Sequence, residues 1–130
     1  MKQVAVVALL LLFAVKLMAG YEVIVCDSVD KKGSCVGKND IFHFSGDKMK
    51  LYVSVHNSQM LNTTKVIYRL YEMQNDHDGD IAAELSSYAK PEWFVVVKSL
   101  YFFKPGYYRL DVLKADKTKI SSTFITITDR

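Results

Sequence analysis

After residue 20 the chain alternates apolar and polar positions with a period of two, and helical spacing is largely absent. That is the pattern of strands with one face in a core. Leu51, Val53 and Val55 point one way while Lys50, Tyr52, Ser54 and His56 point the other. Val66, Tyr68 and Leu70 against Lys65, Arg69 and Glu72 repeat it less cleanly, since Ile67 and Tyr71 lie on the wetter side. Trp93 to Phe103, which contains Val95, Val96 and Val97, is apolar on both faces and predicts a central strand or two, ended by Pro105 and Gly106. Tyr108, Leu110 and Val112 alternate with Arg109 and Asp111, a turn follows at Ala115 to Lys117, and Ile120 to Ile127 closes the domain. With strands near 22–29 and 40–44, the pattern predicts about seven short strands and an all-β, antiparallel two-sheet sandwich. Ile81 to Tyr88 fits two readings, a helix through Ile81, Leu85 and Tyr88 or an edge strand.

The first twenty residues break this pattern. Lys2 is followed by an unbroken apolar run, Val4 to Val15, and by the small pair Ala19 and Gly20. This is the layout of a signal peptide helix. The run is about twelve residues long, against the roughly twenty that cross a bilayer, so a cleaved signal fits better than a retained anchor. The expected organisation is a signal peptide over 1–20 and one domain over 21–130, periplasmic or secreted, which would meet a membrane only if the signal segment is not cleaved.

Composition changes the picture in two respects. The whole chain carries +3, but Lys2 and Lys16 lie in the leader; the remainder has 15 basic against 14 acidic side chains. That balance argues against a nucleic-acid partner, which needs a basic face to displace phosphate counterions. Both cysteines, Cys26 and Cys35, lie outside the leader and flank Asp30-Lys31-Lys32-Gly33, a stretch with turn chemistry. A bridge between them is expected in an oxidising compartment, and closing so short a loop stabilises by roughly 2 to 3 kcal/mol.

Lys104-Pro105-Gly106-Tyr107-Tyr108-Arg109-Leu110-Asp111-Val112 resembles the entry to the penultimate strand of immunoglobulin-like domains, where a glycine, one residue and a buried tyrosine turn the corner between sheets. Tyr108 would be that tyrosine. A longer likeness runs through Val25 to Val29, Val36, Phe42, Leu51 to Val55, Trp93, Ser99, Gly106, Tyr108, Val112 and Ser122 to Ile127. Their order is similar to that of a small bacterial extracytoplasmic family of unknown function. Val66-Ile67-Tyr68-Arg69 replaces that family's His-x-Trp element, and the cysteine pair is not part of its pattern. The resemblance implies an immunoglobulin-like sandwich and an extracytoplasmic setting, and it names no activity.

Candidate chemistry is sparse. Asp76, His77, Asp78 and Asp80 crowd three carboxylates and an imidazole into one loop, which would suit calcium or another divalent cation. An EF-hand register anchored on Gly79 fails at both ends, with Gln74 first and Leu85 twelfth. A solvated turn accounts for the same residues, so the expectation is no cofactor, with a small metal-binding protein as the alternative. Tyr52, Tyr71, Tyr101 and Tyr107 fall on strand faces opposite the core, where exposed aromatics hold a sugar ring or a protein. No nucleophile elbow, zincin helix, phosphate loop or Cys-x-x-Cys is present. The expectation is therefore a non-enzymatic module that binds or assembles with a protein or glycan of the cell envelope.

Overall fold

A computed structural model describes residues 20–39, 41–73, 79 and 81–129. They form nine strands: β1 (Tyr21–Val29), β2 (Cys35–Lys38), β3 (Ile41–His43), β4 (Met49–Asn57), β5 (Lys65–Glu72), β6 (Ile81–Tyr88), β7 (Val95–Phe102), β8 (Gly106–Lys114) and β9 (Lys119–Thr128). A four-stranded sheet in the order β2-β1-β4-β7 packs on a five-stranded sheet in the order β3-β9-β8-β5-β6. All pairings are antiparallel except β3 with β9, which is parallel. This is an immunoglobulin-like sandwich. Residues 1–19 of the expected signal segment, and the aspartate loop residues Asp76, His77, Asp78 and Asp80, lie outside the described residues.

The period-two residues close the core as their spacing requires. Leu51, Val53 and Val55 of β4 meet Val66, Tyr68 and Leu70 of β5, Leu110 and Val112 of β8 and Ile125 and Ile127 of β9, all buried. Phe102 and Tyr108 pack edge-to-face with centroids 5.0 Å apart, an arrangement aromatic pairs favour. The Tyr108 hydroxyl donates to the Lys104 carbonyl at 2.9 Å, making the corner expected from the sequence. A side chain at position 106 would put its Cβ 3.3 Å from the Tyr108 ring, so glycine lets the ring lie against the backbone.

Three expectations change. Nine strands replace seven: β2 is short, and Ile81–Tyr88 takes the edge-strand alternative rather than the helix. The run ending at Phe103 gives one strand, β7, and it is an edge rather than a central strand. Its apolar outer residues, Val95 and Tyr101, are left exposed. Ile67 is buried despite its outward position, because it stands between Leu113 and Ser86 on adjacent strands.

The cysteines are bridged as expected, Cys26 to Cys35, with Cα atoms 5.7 Å apart. The bridge ties the β1–β2 hairpin. Asp30 shapes the turn by accepting the amides of Lys32 and Ser34, each at 2.9 Å. Gly33 completes it at φ +82°, a conformation costly for other residues. Bridged cysteines are the form expected in an oxidising compartment.

Candidate binding face

The four tyrosines singled out in the sequence do not converge; the structure divides them into two pairs on opposite outer faces. Tyr52 and Tyr101 lie on the four-stranded sheet, where Tyr52 is opposite Ser99 and Tyr101 opposite Lys50. A lysine ammonium stands by each ring: Lys50 Nζ is 5.2 Å from the Tyr52 ring centroid and Lys48 Nζ 4.9 Å from that of Tyr101, which remains exposed. The neighbouring phenols raise the Lys50 ammonium above its ordinary value, the hydrogen bond to Tyr52 most of all.

Tyr71 and Tyr107 lie on the five-stranded sheet in a different setting. The register places Ile81, Tyr71, Arg109 and Phe124 side by side across β6, β5, β8 and β9. The adjacent row is Tyr107, Thr126 and Ile41 on β8, β9 and β3. Strands are about 4.8 Å apart, so each row is a nearly flat strip roughly 10 to 15 Å long. Tyr107 and Phe124 are parallel, centroids 5.7 Å apart with 5° between their planes. Arg109 lies over the Tyr71 ring at 4.4 Å. Ile41, Ile81, Tyr107 and Phe124 are 44 to 54% exposed, so four large apolar side chains stand open around the arginine.

The arginine is held in place from beneath. Arg109 Nε is 3.2 Å from Asp111 Oδ1 and its Nη2 3.3 Å from Oδ2. The Ser122 hydroxyl donates to Asp111 at 2.7 Å and Lys119 Nζ lies 3.7 Å away. Asp111 is buried, and a buried carboxylate requires such partners. Towards the sheet edge, Arg69 Nε pairs with Glu84 at 2.6 Å. That hydrogen bond lowers the Glu84 carboxyl below its ordinary value and raises the Arg69 guanidinium.

A concavity opens where the edge strands β6 and β7 face each other across the sandwich. Leu70, Ala83, Tyr101, Phe102, Phe103 and Tyr108 line a cleft of about 220 Å³, and Lys104 pairs with Glu72 at 2.8 Å beside it. Small-molecule pockets are generally about 300 Å³ or more, so the cleft suits a side chain better than a ligand. Among the described residues, no group of three or more His, Cys, Asp or Glu side chains is placed to hold a metal. His43 is engaged with Thr128 Oγ1 at 2.9 Å.

Phe124, Arg109 and Ile41 were not anticipated as parts of a site. The signal for Phe124 was present, because the inward parity of Ile125 and Ile127 forces it outward. Nothing in the sequence indicates that β3 joins β9 in parallel and brings Ile41 alongside.

No family model matches the sequence, and no curated protein matches it. Among solved structures the chain is similar to an immunoglobulin-like protein from Pseudomonas aeruginosa. The two share 14% identity with a TM-score of 0.48, over 82% of this chain and 90% of that one. The strand order and the tyrosine corner of this chain, taken by themselves, make it an immunoglobulin-like β-sandwich.

Proposed function

We propose that the protein is a non-catalytic, exported binding module that holds a protein or glycan of the cell envelope on the outer face of its five-stranded sheet. One observation carries the reading: the open Tyr107–Phe124 pair beside an arginine buttressed against Tyr71 and Asp111. Tyrosine, phenylalanine and arginine are enriched in the centres of contact surfaces, and lysine and glutamate are depleted there. Pre-setting the arginine reduces the side-chain entropy lost on binding. Exposed apolar side chains gathered on one face, rather than scattered singly, mark a contact surface. Bridged cysteines and the leader-like residues 1–20 support action outside the cytoplasm.

The test is photo-cross-linking from position 126, between Tyr107 and Ile41, in the native envelope, alongside titration with cell-wall glycans. The double variant Tyr107→Ala/Phe124→Ala is expected to lose the cross-linked product or the glycan response while its melting temperature stays within a few degrees of the parent. Equal cross-linking by parent and variant, with no glycan response from either, would sink the proposal.

A further inference from the structure

A second apolar surface lies away from the binding face, at the end of the sandwich where the chain enters β1. Met60, Tyr88, Trp93, Phe94 and Val95 are all exposed there, Phe94 at 53% and Tyr88 at 71%. They sit on the β4–β5 and β6–β7 connections and the adjoining strand ends. Tyr88 and Trp93 meet edge-to-face at 6.2 Å.

The surface is rigidly built. Leu61 donates its amide to the Trp93 carbonyl at 2.6 Å, Asn62 to that of Pro91 at 2.9 Å and Asn57 to that of Phe94 at 3.0 Å. Thr63 Oγ1 accepts the Ala115 amide at 3.0 Å, tying in the β8–β9 turn. The exposed rings therefore stand on a hydrogen-bonded platform.

The path of the chain indicates what this end faces. The Ser58 amide donates to the Gly20 carbonyl at 3.1 Å, which fixes the start of the domain at the same end. β1 is two strand spacings from β7, or roughly 10 Å. Gly20 is the last residue of the leader, whose run Val4 to Val15 is the most apolar stretch of the sequence. A segment of that kind places residue 20 beside a bilayer while it is attached. Tryptophan and tyrosine are the residues that settle at the membrane–water boundary, with an apolar ring body and a polar edge. Lysines accompany them: Lys65, Lys90, Lys114 and Lys117 lie at the strand ends and loops of this end, against Glu22, Glu92 and Asp116. Lys114 Nζ is 5.3 Å from the ring of Tyr21, next to the entry point.

We propose that this end is a lipid-facing surface, with Trp93, Phe94 and Val95 resting in the headgroup region of a phospholipid bilayer, a membrane contact that, unlike the one expected from the sequence, does not require the leader to be retained. The sandwich then stands on the membrane with its long axis outward and the Tyr107–Phe124 face turned sideways, free to engage a neighbour. The inference goes beyond the proposed binding face and uses none of its residues.

Trp93 is the only tryptophan in the chain, so its fluorescence reports contact by the sandwich itself, whether or not the leader is retained. The exported, oxidised protein is mixed with vesicles of phosphatidylethanolamine and phosphatidylglycerol whose acyl chains are brominated or plain. The expected result is a blue-shifted Trp93 emission, quenched by the brominated lipid and protected from iodide. Phe94→Ser/Val95→Ser replaces only exposed side chains and is expected to weaken the response by about tenfold or more, the factor associated with losing one buried aromatic side chain. Tyr107→Ala/Phe124→Ala, on the other face, is expected to leave it unchanged. Trp93 emission that ignores the vesicles and stays open to iodide would overturn the proposal. So would concentration-dependent self-association that buries Trp93 without lipid, because the surface would then serve a second copy of the chain.

Discussion

The two outer faces of the sandwich carry similar aromatic side chains and treat them oppositely. On the four-stranded sheet, Tyr52 and Tyr101 lie under the flexible ammonium groups of Lys50 and Lys48. A lysine stem lying on a ring shields its apolar surface while the charge stays in water. On the five-stranded sheet, the cation over Tyr71 is Arg109, clamped by Asp111, and Tyr107 stacks with Phe124 instead of being covered by a lysine. Exposure alone does not separate the two sheets, since Tyr101 and Tyr107 are each 44% exposed; the cations beside their aromatics do. What separates the two pairs of tyrosines is the group standing beside each and how firmly that group is held.

The largest effect is expected from removing the clamp. Asp111→Ala leaves Arg109 over a mostly buried site without its carboxylate and should cost about 3 kcal/mol, measured by urea unfolding. If the five-stranded face owes its order to this pair, binding should fall with stability. A loss below about 0.5 kcal/mol, the ordinary range of surface changes, would show that the two faces are equally loosely held.

Next in size is the bridge that stiffens the edge of the other sheet. Cys26→Ala/Cys35→Ala should lower stability by about 2 to 3 kcal/mol and leave partner binding on the five-stranded face intact. A loss of binding greater than the loss of folded protein would mean that the two faces are coupled.

The smallest effect concerns Glu84. Its carboxyl is lowered below the ordinary 4.5 by the Arg69 hydrogen bond. A depressed folded-state value means that the contribution is fully present above the ordinary value and is lost as pH falls through the lowered one. The pair is exposed, so the contribution is small. Melting curves from about pH 6 to about pH 3 should fall more steeply for the parent than for Glu84→Gln. Identical acid limbs would show that the pair does not help hold β6 to β5.

Strands with one wet and one dry face were legible in the sequence, and so were the cysteine bridge and the tyrosine corner. β4 and β8 are middle strands whose inward residues are apolar, whereas their outward positions carry mostly polar side chains, Lys50, Ser54 and His56 on β4 and Arg109 and Asp111 on β8. β6 could not be told from a helix because most of its residues are exposed on both faces, so no period-two stripe is imposed on it. β7 looked central because its outer residues are apolar, which at an edge marks surface available for contact. Ile67 looked wet because its parity is outward, and its neighbours across the strands, which bury it, are far away in sequence. The same limit hid the candidate face: Tyr71 and Tyr107 were visible singly, but their neighbours Arg109, Phe124 and Ile41 come together only through the register of the strands.

The position of β9 bears on how such a chain matures. It is the last strand in sequence, yet it lies inside the five-stranded sheet, bonded to β8 on one side and to β3 on the other. A chain delivered from its N-terminus can assemble the four-stranded sheet and the β1–β2 hairpin early. It cannot seal the second sheet until Thr128 has arrived, and β3 must wait for a partner more than eighty residues downstream. Pairings of such long sequence separation form slowly and leave edges open meanwhile. The hairpin bridge closes locally, so oxidation can precede completion of the sandwich, and the ten residues of β9 act as the latch that ends the aggregation-prone interval.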